Sequence, residues 1–253
     1  MSLRTSYAPG TPSWVDIGSP DPQGAAAFYG ALFGWVIEFD SRPEAGGYAM
    51  CMLNGVPAAG MGPQMNPDMP PFWAMYVTVV DAAATMTRVA ELGGTVIVPD
   101  FDVLDVGRMG ILQDPTGAFI SVWQPLSHIG SGVVNEPGAF VWNEISTPNI
   151  EAATSFYGAL FGWGLDTQFT SPDAAGFTVA GELVCGGHTA GEGEFPAWSV
   201  WFAVDDCDAS AARVVELGGT IVMPPSDLDF GRGAVVTDPY GAVFGIGKIT
   251  NAV

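Results

Sequence analysis

Basic residues are scarce in this sequence. Only 7 of its 253 residues are lysine or arginine, against 27 aspartate and glutamate residues, so the formal net charge is −20. A surface with this charge repels nucleic-acid phosphates and anionic lipid headgroups. We therefore expect neither nucleic acid nor membrane as a partner. The expected partner is a small molecule, bound by a monomer or a homodimer.

Cysteine is also scarce, and long apolar runs are missing. The three cysteines, Cys51, Cys185 and Cys207, have no paired spacing, which argues against a disulfide framework or a zinc cluster. No run of about 18 apolar residues could cross a membrane. The first residues lack the apolar region of a signal peptide. From the unpaired cysteines we expect a cytoplasmic protein. Apolar residues still make up 48% of the chain, which is enough to bury a core.

What the sequence does contain is a long internal repeat. The heptapeptide YGALFGW occurs at residues 29–35 and again at residues 157–163. The likeness extends back to Trp14 and Trp142, which are 128 positions apart (142 − 14). It extends forward to DPTG at Asp114 and DPYG at Asp238, which are 124 positions apart (238 − 114). We infer a tandem duplication, with a first domain at residues 11–124, a linker at 125–138 and a second domain at 139–250.

Each half divides again into two modules of the order βαβββ. In the first module a strand at residues 13–18 precedes a helix that begins at Asp21 and ends at Gly34. Two further strands flank the turn Asn54–Gly55, which is a hairpin signal. The same order recurs between Trp73 and Trp123. The predicted fold class is α+β, and YGALFGW is interpreted as a structural signature in which a core helix ends and a strand begins.

This arrangement resembles the vicinal oxygen chelate superfamily, which includes glyoxalase I, extradiol dioxygenases and bleomycin-resistance proteins. The resemblance rests on the four modules, on FYGALFGW after the first strand of each half, and on DPTG or DPYG before the last strand. It is closest to two-domain glyoxalase-like proteins of the culture-filtrate antigen type. The resemblance implies two tandem glyoxalase/bleomycin-resistance-like domains, each a curled mixed sheet whose cup holds the ligand.

The same resemblance implies a divalent metal, held by His, Glu or Gln at strand positions that face the cup. These positions fall on Asp16, Ala74 and Ser121 in the first half and on Glu144, Ser199 and Gly245 in the second. Each set keeps one plausible ligand, whereas a catalytic metal needs about three from the protein. We therefore predict no metal site and no other cofactor.

Two carboxylates and a histidine are the candidate catalytic groups. Asp16 and Glu144 occupy equivalent positions in apolar strands, where burial would raise the pKa and produce a possible general base. The alternative is that each points outward or accepts backbone hydrogen bonds. His188, which the sequence aligns with Met61, could face Glu144. We therefore expect the second cup to bind the more polar ligand.

The candidate ligand-binding residues are aromatic or basic. The aromatic candidates are Trp73, Trp198, Tyr48, Tyr76 and Trp201. They could line a cup or pack in the core between sheet and helices. Arg108 and Arg232, at matching positions, could bind an anionic ligand or form salt bridges to Asp114 and Asp238. His128, in the linker, is interpreted as a residue that positions the two halves.

Two functions therefore remain open. The first is the binding of a small molecule in an aromatic cup without the metal of the related proteins. The second is catalysis by a lyase or isomerase of the same superfamily, metal-independent or weakly metal-assisted, that uses a cup carboxylate as a general base. The direction in which Asp16 and Glu144 point relative to the cups distinguishes the two.

Overall fold

The computed structural model describes residues 2–250 and contains two eight-stranded mixed sheets, one from each half of the chain. The first half consists of β1 (Pro12–Ser19), α1 (Pro22–Phe33), β2 (Val36–Phe39), a short 3-10 helix (Pro43–Ala45), β3 (Ala49–Leu53), β4 (Val56–Pro63), β5 (Trp73–Thr78), α2 (Ala82–Glu91), β6 (Thr95–Val103), β7 (Gly107–Gln113) and β8 (Phe119–Pro125). The second half consists of β9 (Phe140–Thr147), α3 (Ile150–Phe161), β10 (Gly164–Ser171), β11 (Ala174–Val179), β12 (Glu182–Thr189), β13 (Ala197–Ala203), α4 (Cys207–Glu216), β14 (Thr220–Leu228), β15 (Gly231–Thr237) and β16 (Val243–Ile249).

The two sheets have the same topology. Their strand orders are β2-β3-β4-β1-β5-β8-β7-β6 and β10-β11-β12-β9-β13-β16-β15-β14. The two modules of each half join edge to edge, because β1 pairs antiparallel with β5 and β9 pairs antiparallel with β13. Trp14 and Trp142 lie in the equivalent strands β1 and β9, so the predicted fold of four βαβββ modules in two tandem units is confirmed. In residues 2–250 no helix is long and apolar enough to cross a membrane.

The repeated helices α1 and α3 begin and end as the sequence predicts. The Asp21 side chain accepts a hydrogen bond from the amide of Gly24, and Asn149 accepts the equivalent bond from Ala152. Gly34 and Gly162 end the two helices with φ of 73° and 75°, a left-handed conformation that glycine adopts without steric cost.

The aromatic side chains of YGALFGW join the two halves. The Tyr29 hydroxyl donates to Oδ2 of Asp238 at 3.1 Å, and the Tyr157 hydroxyl donates to Oδ2 of Asp114 at 2.8 Å. Each repeated tyrosine therefore binds the aspartate of the DPTG or DPYG turn in the opposite half. The indole of Trp35 likewise donates to the carbonyl of Gly138 at 2.6 Å. Each copy of the heptapeptide therefore contacts the other half of the chain through its tyrosine.

The buried core follows the same crosswise arrangement. One hydrophobic cluster packs Phe28 and Tyr29 of α1 against Phe202 of β13 and Phe244 of β16. A second cluster packs α2 of the first half against α3 of the second. The helices therefore lie between the two sheets, and the opposite face of each sheet is left to form a cup.

Candidate functional site

The side chains of β1 alternate between the two faces of the first sheet, which shows which residues face the core and which face the cup. Val15 and Ile17 are buried in the core beside the helices, so Trp14 and Asp16 project from the opposite face. We call that face the first cup. Its lining side chains come from five strands and from the residue before β3: Trp14, Asp16, Tyr48, Met50, Ala74, Tyr76, Met109, Ile111, Ser121 and Trp123.

Asp16 is the centre of a hydrogen-bonded cluster in the first cup. The hydroxyls of Tyr48 and Tyr76 each donate to Asp16 Oδ2 at 3.0 Å, and the Trp14 indole donates to the Tyr48 hydroxyl at 3.0 Å. Burial raises the pKa of Asp16 to about 6, and the two tyrosine hydrogen bonds oppose that rise only in part. Burial, followed by the charge of Asp16, also raises the pKa of both tyrosines, so they remain donors at neutral pH.

Small residues beside Asp16 make room for this cluster. Gly60 and Ala74 lie opposite Asp16 on the two neighbouring strands. A Cβ atom at Gly60 would collide with the Tyr48 ring, so glycine lets that ring cross the sheet and reach the carboxylate. The solvent-accessible part of the cup is formed by Asp16, Tyr48 and Ala74, together with Met50 and Ile111, all of them partly exposed.

The deep end of the first cup is closed by aromatic packing. Trp14, Tyr76, Met109 and Trp123 form a buried cluster. His128 stands edge-on to the Trp14 ring at 4.5 Å, and its carbonyl accepts from the Trp123 indole at 2.8 Å. The linker histidine thus contacts the first cup, and its interpretation as a residue that positions the two halves stays a prediction. Burial lowers its pKa to about 4, so the ring is neutral at physiological pH.

The second cup holds a carboxylate–imidazole pair. Glu144 Oε1 lies 2.9 Å from Nδ1 of His188, and this hydrogen bond is the largest cause that raises the pKa of His188. Glu194, in the loop before β13, lies 3.6 Å from the other ring nitrogen and accepts from the hydroxyl of Ser146 at 3.1 Å. Sequence reasoning missed Glu194, because a loop residue has no periodicity that would direct it to a cup.

The strand register corrects the alignment of His188 with Met61. His188 lies opposite Ser146, whereas the residue opposite the equivalent Gly18 is Gly62. Met61 points instead into the core and is fully buried. A shift of one residue moves a side chain to the other face of a strand, and a sequence alignment does not reveal the shift.

A small and a large residue have exchanged places between the two cups. In the first cup Tyr48 adjoins Gly62, because the next pair along these strands is Ala49 with Met61. In the second cup the corresponding pair is Ala174 with His188. The first-strand carboxylate therefore receives a hydrogen-bond partner in both cups, from a different strand in each.

Several predicted binding residues lie outside the cups. Trp73 and Trp198 are 2% and 7% exposed in the helix-side core and donate to the hydroxyls of Tyr29 and Tyr157. They cannot line a cup, because their neighbours Ala74 and Ser199 take the cup-facing positions opposite Asp16 and Glu144.

The two arginines also face away from the cups, and neither pairs with Asp114 or Asp238. Arg108 forms ion pairs with Asp100 at 2.6 Å and Asp102 at 2.8 Å. Arg232 binds Asp208 and Asp227. Asp114 and Asp238 instead accept hydrogen bonds from backbone amides of their own turns and from the tyrosine hydroxyls of the opposite half.

Trp201 does lie in the second cup. Its ring packs directly over Gly245, where any Cβ atom would collide with the indole, and it stands 5.5 Å from the Phe230 ring. These two rings and Trp142 line a cavity of about 30 Å³.

The residues at the six metal-ligand positions do not fit the metal that the resemblance implies. Ala74 has only a methyl group and Gly245 has no side chain, so neither supplies a metal ligand. The Trp201 indole also covers Gly245. In the first cup the one carboxylate already accepts two tyrosine hydroxyls. Between residues 2 and 250, no three His, Cys, Asp or Glu side chains converge in an arrangement that could hold a metal ion.

We expect the purified protein to contain far less than one equivalent of transition metal per chain. A stable site normally needs three or four strong ligands, and each cup offers fewer at these positions. Elemental analysis after dialysis would measure the content directly. Nearly one equivalent of nickel, zinc or iron would contradict this prediction and would favour a metal-dependent activity.

Comparisons with known proteins agree with this architecture. A family described as the Glyoxalase/Bleomycin resistance protein/Dioxygenase superfamily matches residues 139–246, and a glyoxalase-like domain family matches residues 14–122. The chain is 40% identical to a protein named putative glyoxylase CFP32 from Mycobacterium tuberculosis, over 98% of both chains. It is 38% identical to the anthracycline biosynthesis protein DnrV from Streptomyces peucetius, over 96% of this chain and 94% of the relative.

Solved structures show the same fold at low identity. The Mn(II)-bound glyoxalase from Novosphingobium aromaticivorans is 14% identical, with a TM-score of 0.66 over 95% of this chain and 82% of its own. The 2,3-dioxygenase LapB from Pseudomonas sp. KL28 is 13% identical, with a TM-score of 0.64 over 96% of this chain and 93% of its own. At this identity the likeness concerns the fold alone.

Proposed function

Since the chain belongs to the glyoxalase/bleomycin resistance protein/dioxygenase superfamily, we propose that it binds a small, flat molecule in its first cup without a catalytic metal. One observation carries the proposal: where a metal chelate would lie, Asp16 is held by two tyrosine hydroxyls beside aromatic and apolar side chains. Pockets of this composition suit ligands with a flat apolar body and a single polar group.

The relatives support a flat ligand. Two of them, at 38% and 37% identity, are named anthracycline biosynthesis proteins. Anthracyclines are built on a planar fused-ring system, and a compound with a similar planar body would suit aromatic walls. The relatives named putative glyoxylase, at 40% identity, indicate no ligand of this shape. A ligand with fused rings is therefore proposed from the names of the two anthracycline relatives and from the aromatic side chains of the cup.

Blocking the mouth of the first cup tests the proposal. Ala74 borders Asp16, so Ala74→Leu should fill the space beside the carboxylate. We expect the variant to weaken binding of the neutral planar probe 2-naphthylmethanol by about tenfold or more in isothermal titration calorimetry. Ser199→Leu is the matched control, because Ser199 holds the equivalent position in the second cup. Failure of the probe to bind the unmodified protein, or equal losses in the two variants, would refute binding in the first cup.

Acid–base catalysis in the second cup is the alternative, and the contact between Glu144 and His188 favours it. A carboxylate that accepts from an imidazole can fix the orientation of the ring and stabilise its protonated form. In this case the protein would be a lyase or isomerase that moves a proton within a bound substrate. The partial exposure of both side chains leaves them accessible to such a substrate.

For the enzyme alternative we expect Glu144→Gln to reduce turnover more than Asp16→Asn does. The amide removes the charge that supports protonated His188, whereas Asp16 lies in the other cup and contacts tyrosines instead. Steady-state kinetics of both variants, with any substrate found by activity screening, would measure the effect. Equal losses, or a larger loss for Asp16→Asn, would contradict the alternative.

A further inference from the structure

Asp16 is a partly buried carboxylate without a positively charged partner among the described residues. The groups that affect its pKa are the surrounding protein, which raises it by burial, and the hydroxyls of Tyr48 and Tyr76. Removing a carboxylate from water without a counter-charge is costly, and hydroxyl donors recover only part of that cost. A cationic ligand would therefore stabilise the Asp16 carboxylate.

The few basic residues of the chain are placed elsewhere. Four arginines form ion pairs with other carboxylates, Arg88 donates to a backbone carbonyl, and the remaining two basic residues line a groove at one end of the second sheet. The four are Arg42, Arg108, Arg213 and Arg232, and the two are Arg4 and Lys248. None of them contacts the first cup, so the counter-charge would have to come with the ligand.

The geometry around Asp16 leaves one oxygen for such a ligand. Both tyrosine hydroxyls converge on Oδ2, which leaves the lone pairs of Oδ1 for a further donor. Apolar side chains, Met50 and Ile111 among them, form the accessible surface beside it. An ammonium group would gain a charge-assisted hydrogen bond there, and the aromatic rings nearby would favour a cation.

We propose that the first cup binds a protonated amine carried on a flat apolar body, with Asp16 Oδ1 as the acceptor for the ammonium group. This inference rests on the proposed function, because it names the ligand chemistry that the first cup would take. The net charge of −20 attracts cations over a long range and would assist their encounter with the protein.

The second cup does not share this preference. Its equivalent carboxylate, Glu144, already contacts the His188 imidazole at 2.9 Å, and Glu194 lies on the other side of that ring. We therefore expect a preference for a cationic ligand in the first cup and not in the second. Variants at these equivalent positions remove the same charge from two different environments.

A matched pair of probes tests the proposal. We would titrate 2-naphthylmethylamine and 2-naphthylmethanol, which share their ring system, into the full chain at pH 8 and moderate salt and compare the dissociation constants by calorimetry. The amine should bind about tenfold tighter than the alcohol. Asp16→Asn should reduce this preference to about twofold, because the amide keeps the shape and loses the charge. Glu144→Gln, which also removes one negative charge, should retain the preference.

The possible outcomes separate this inference from the proposed function. Equal binding of amine and alcohol would overturn the cation preference and leave the binding of flat molecules intact. Loss of the preference in Glu144→Gln, or in both variants, would place the cation elsewhere and also overturn the inference. Failure of both probes to bind at millimolar concentration would overturn the inference and the proposed function together. Circular dichroism of each variant would check that the fold is unchanged.

Discussion

Replacement of Tyr29 by phenylalanine should lower the free energy of unfolding by about 2–4 kcal/mol. The hydroxyl donates to Asp238 across the junction of the two halves and accepts from the indole of Trp73, and all three groups are buried. Phenylalanine would fill the same space but leave the Trp73 indole N–H and Oδ2 of Asp238 unpaired inside the core, where each unsatisfied group costs about 1–3 kcal/mol. Urea unfolding followed by circular dichroism would measure the loss.

Tyr240→Phe provides a control with the same chemical change. The Tyr240 hydroxyl also links the halves, because it donates to Asp21 at 2.9 Å, but this bond is exposed to solvent. Water can replace an exposed donor, so we expect a loss below about 1 kcal/mol. Tyr157→Phe should repeat the large effect, since Tyr157 makes the equivalent buried bonds to Asp114 and Trp198. Similar small losses in all three variants would show that the crosswise bonds do not stabilise the fold.

The fold could be predicted from the sequence because its signals are local. Caps such as Asp21 and stops such as Gly34 act within one turn of a helix, and a repeat of this length fixes the modular order whatever the tertiary contacts are. The crosswise pairing of Tyr29 with Asp238 could not be predicted in this way. The two residues are 209 positions apart, and nothing in either segment specifies that a tyrosine binds the turn of the other half.

The candidate site could be predicted only in part, because strand alternation gives two faces without saying which one is the cup. Trp73 and Ala74 are neighbours, and the larger residue faces the core while the smaller one faces the cup. The positions of Asp16 and Tyr76 follow once the face is known, but the approach of Tyr48 across Gly60 depends on register. His128 reaches the cup from a linker, where no periodic pattern directs a side chain.

The charge of Asp16 should make the stability of the protein depend on pH between about 4 and 7. The pKa of Asp16 is about 6 in the folded protein, above the ordinary 3.8. The folded state therefore holds the proton more tightly than the unfolded chain does. Its contribution to stability is fully present below about pH 4 and is lost as the pH rises through 6. The groups that face Asp16 are the hydroxyls of Tyr48 and Tyr76, and the thiol of Cys51 lies on the other face of the sheet; the raised pKa values of all three keep them neutral over this range.

Asp16→Asn should accordingly match the unmodified protein at pH 4 and exceed its stability at pH 8 by about 1–3 kcal/mol. The amide oxygen can still accept from both tyrosines, and no charge is left to desolvate. Urea unfolding of both proteins across this pH range would measure the difference. Glu144→Gln should gain no stability at pH 8, because its carboxylate already has an imidazole partner. A difference that stays constant with pH, or an Asp16→Asn variant that is less stable at pH 8, would show that the Asp16 carboxylate is adequately solvated. In that case the first cup would also have no need of a cation.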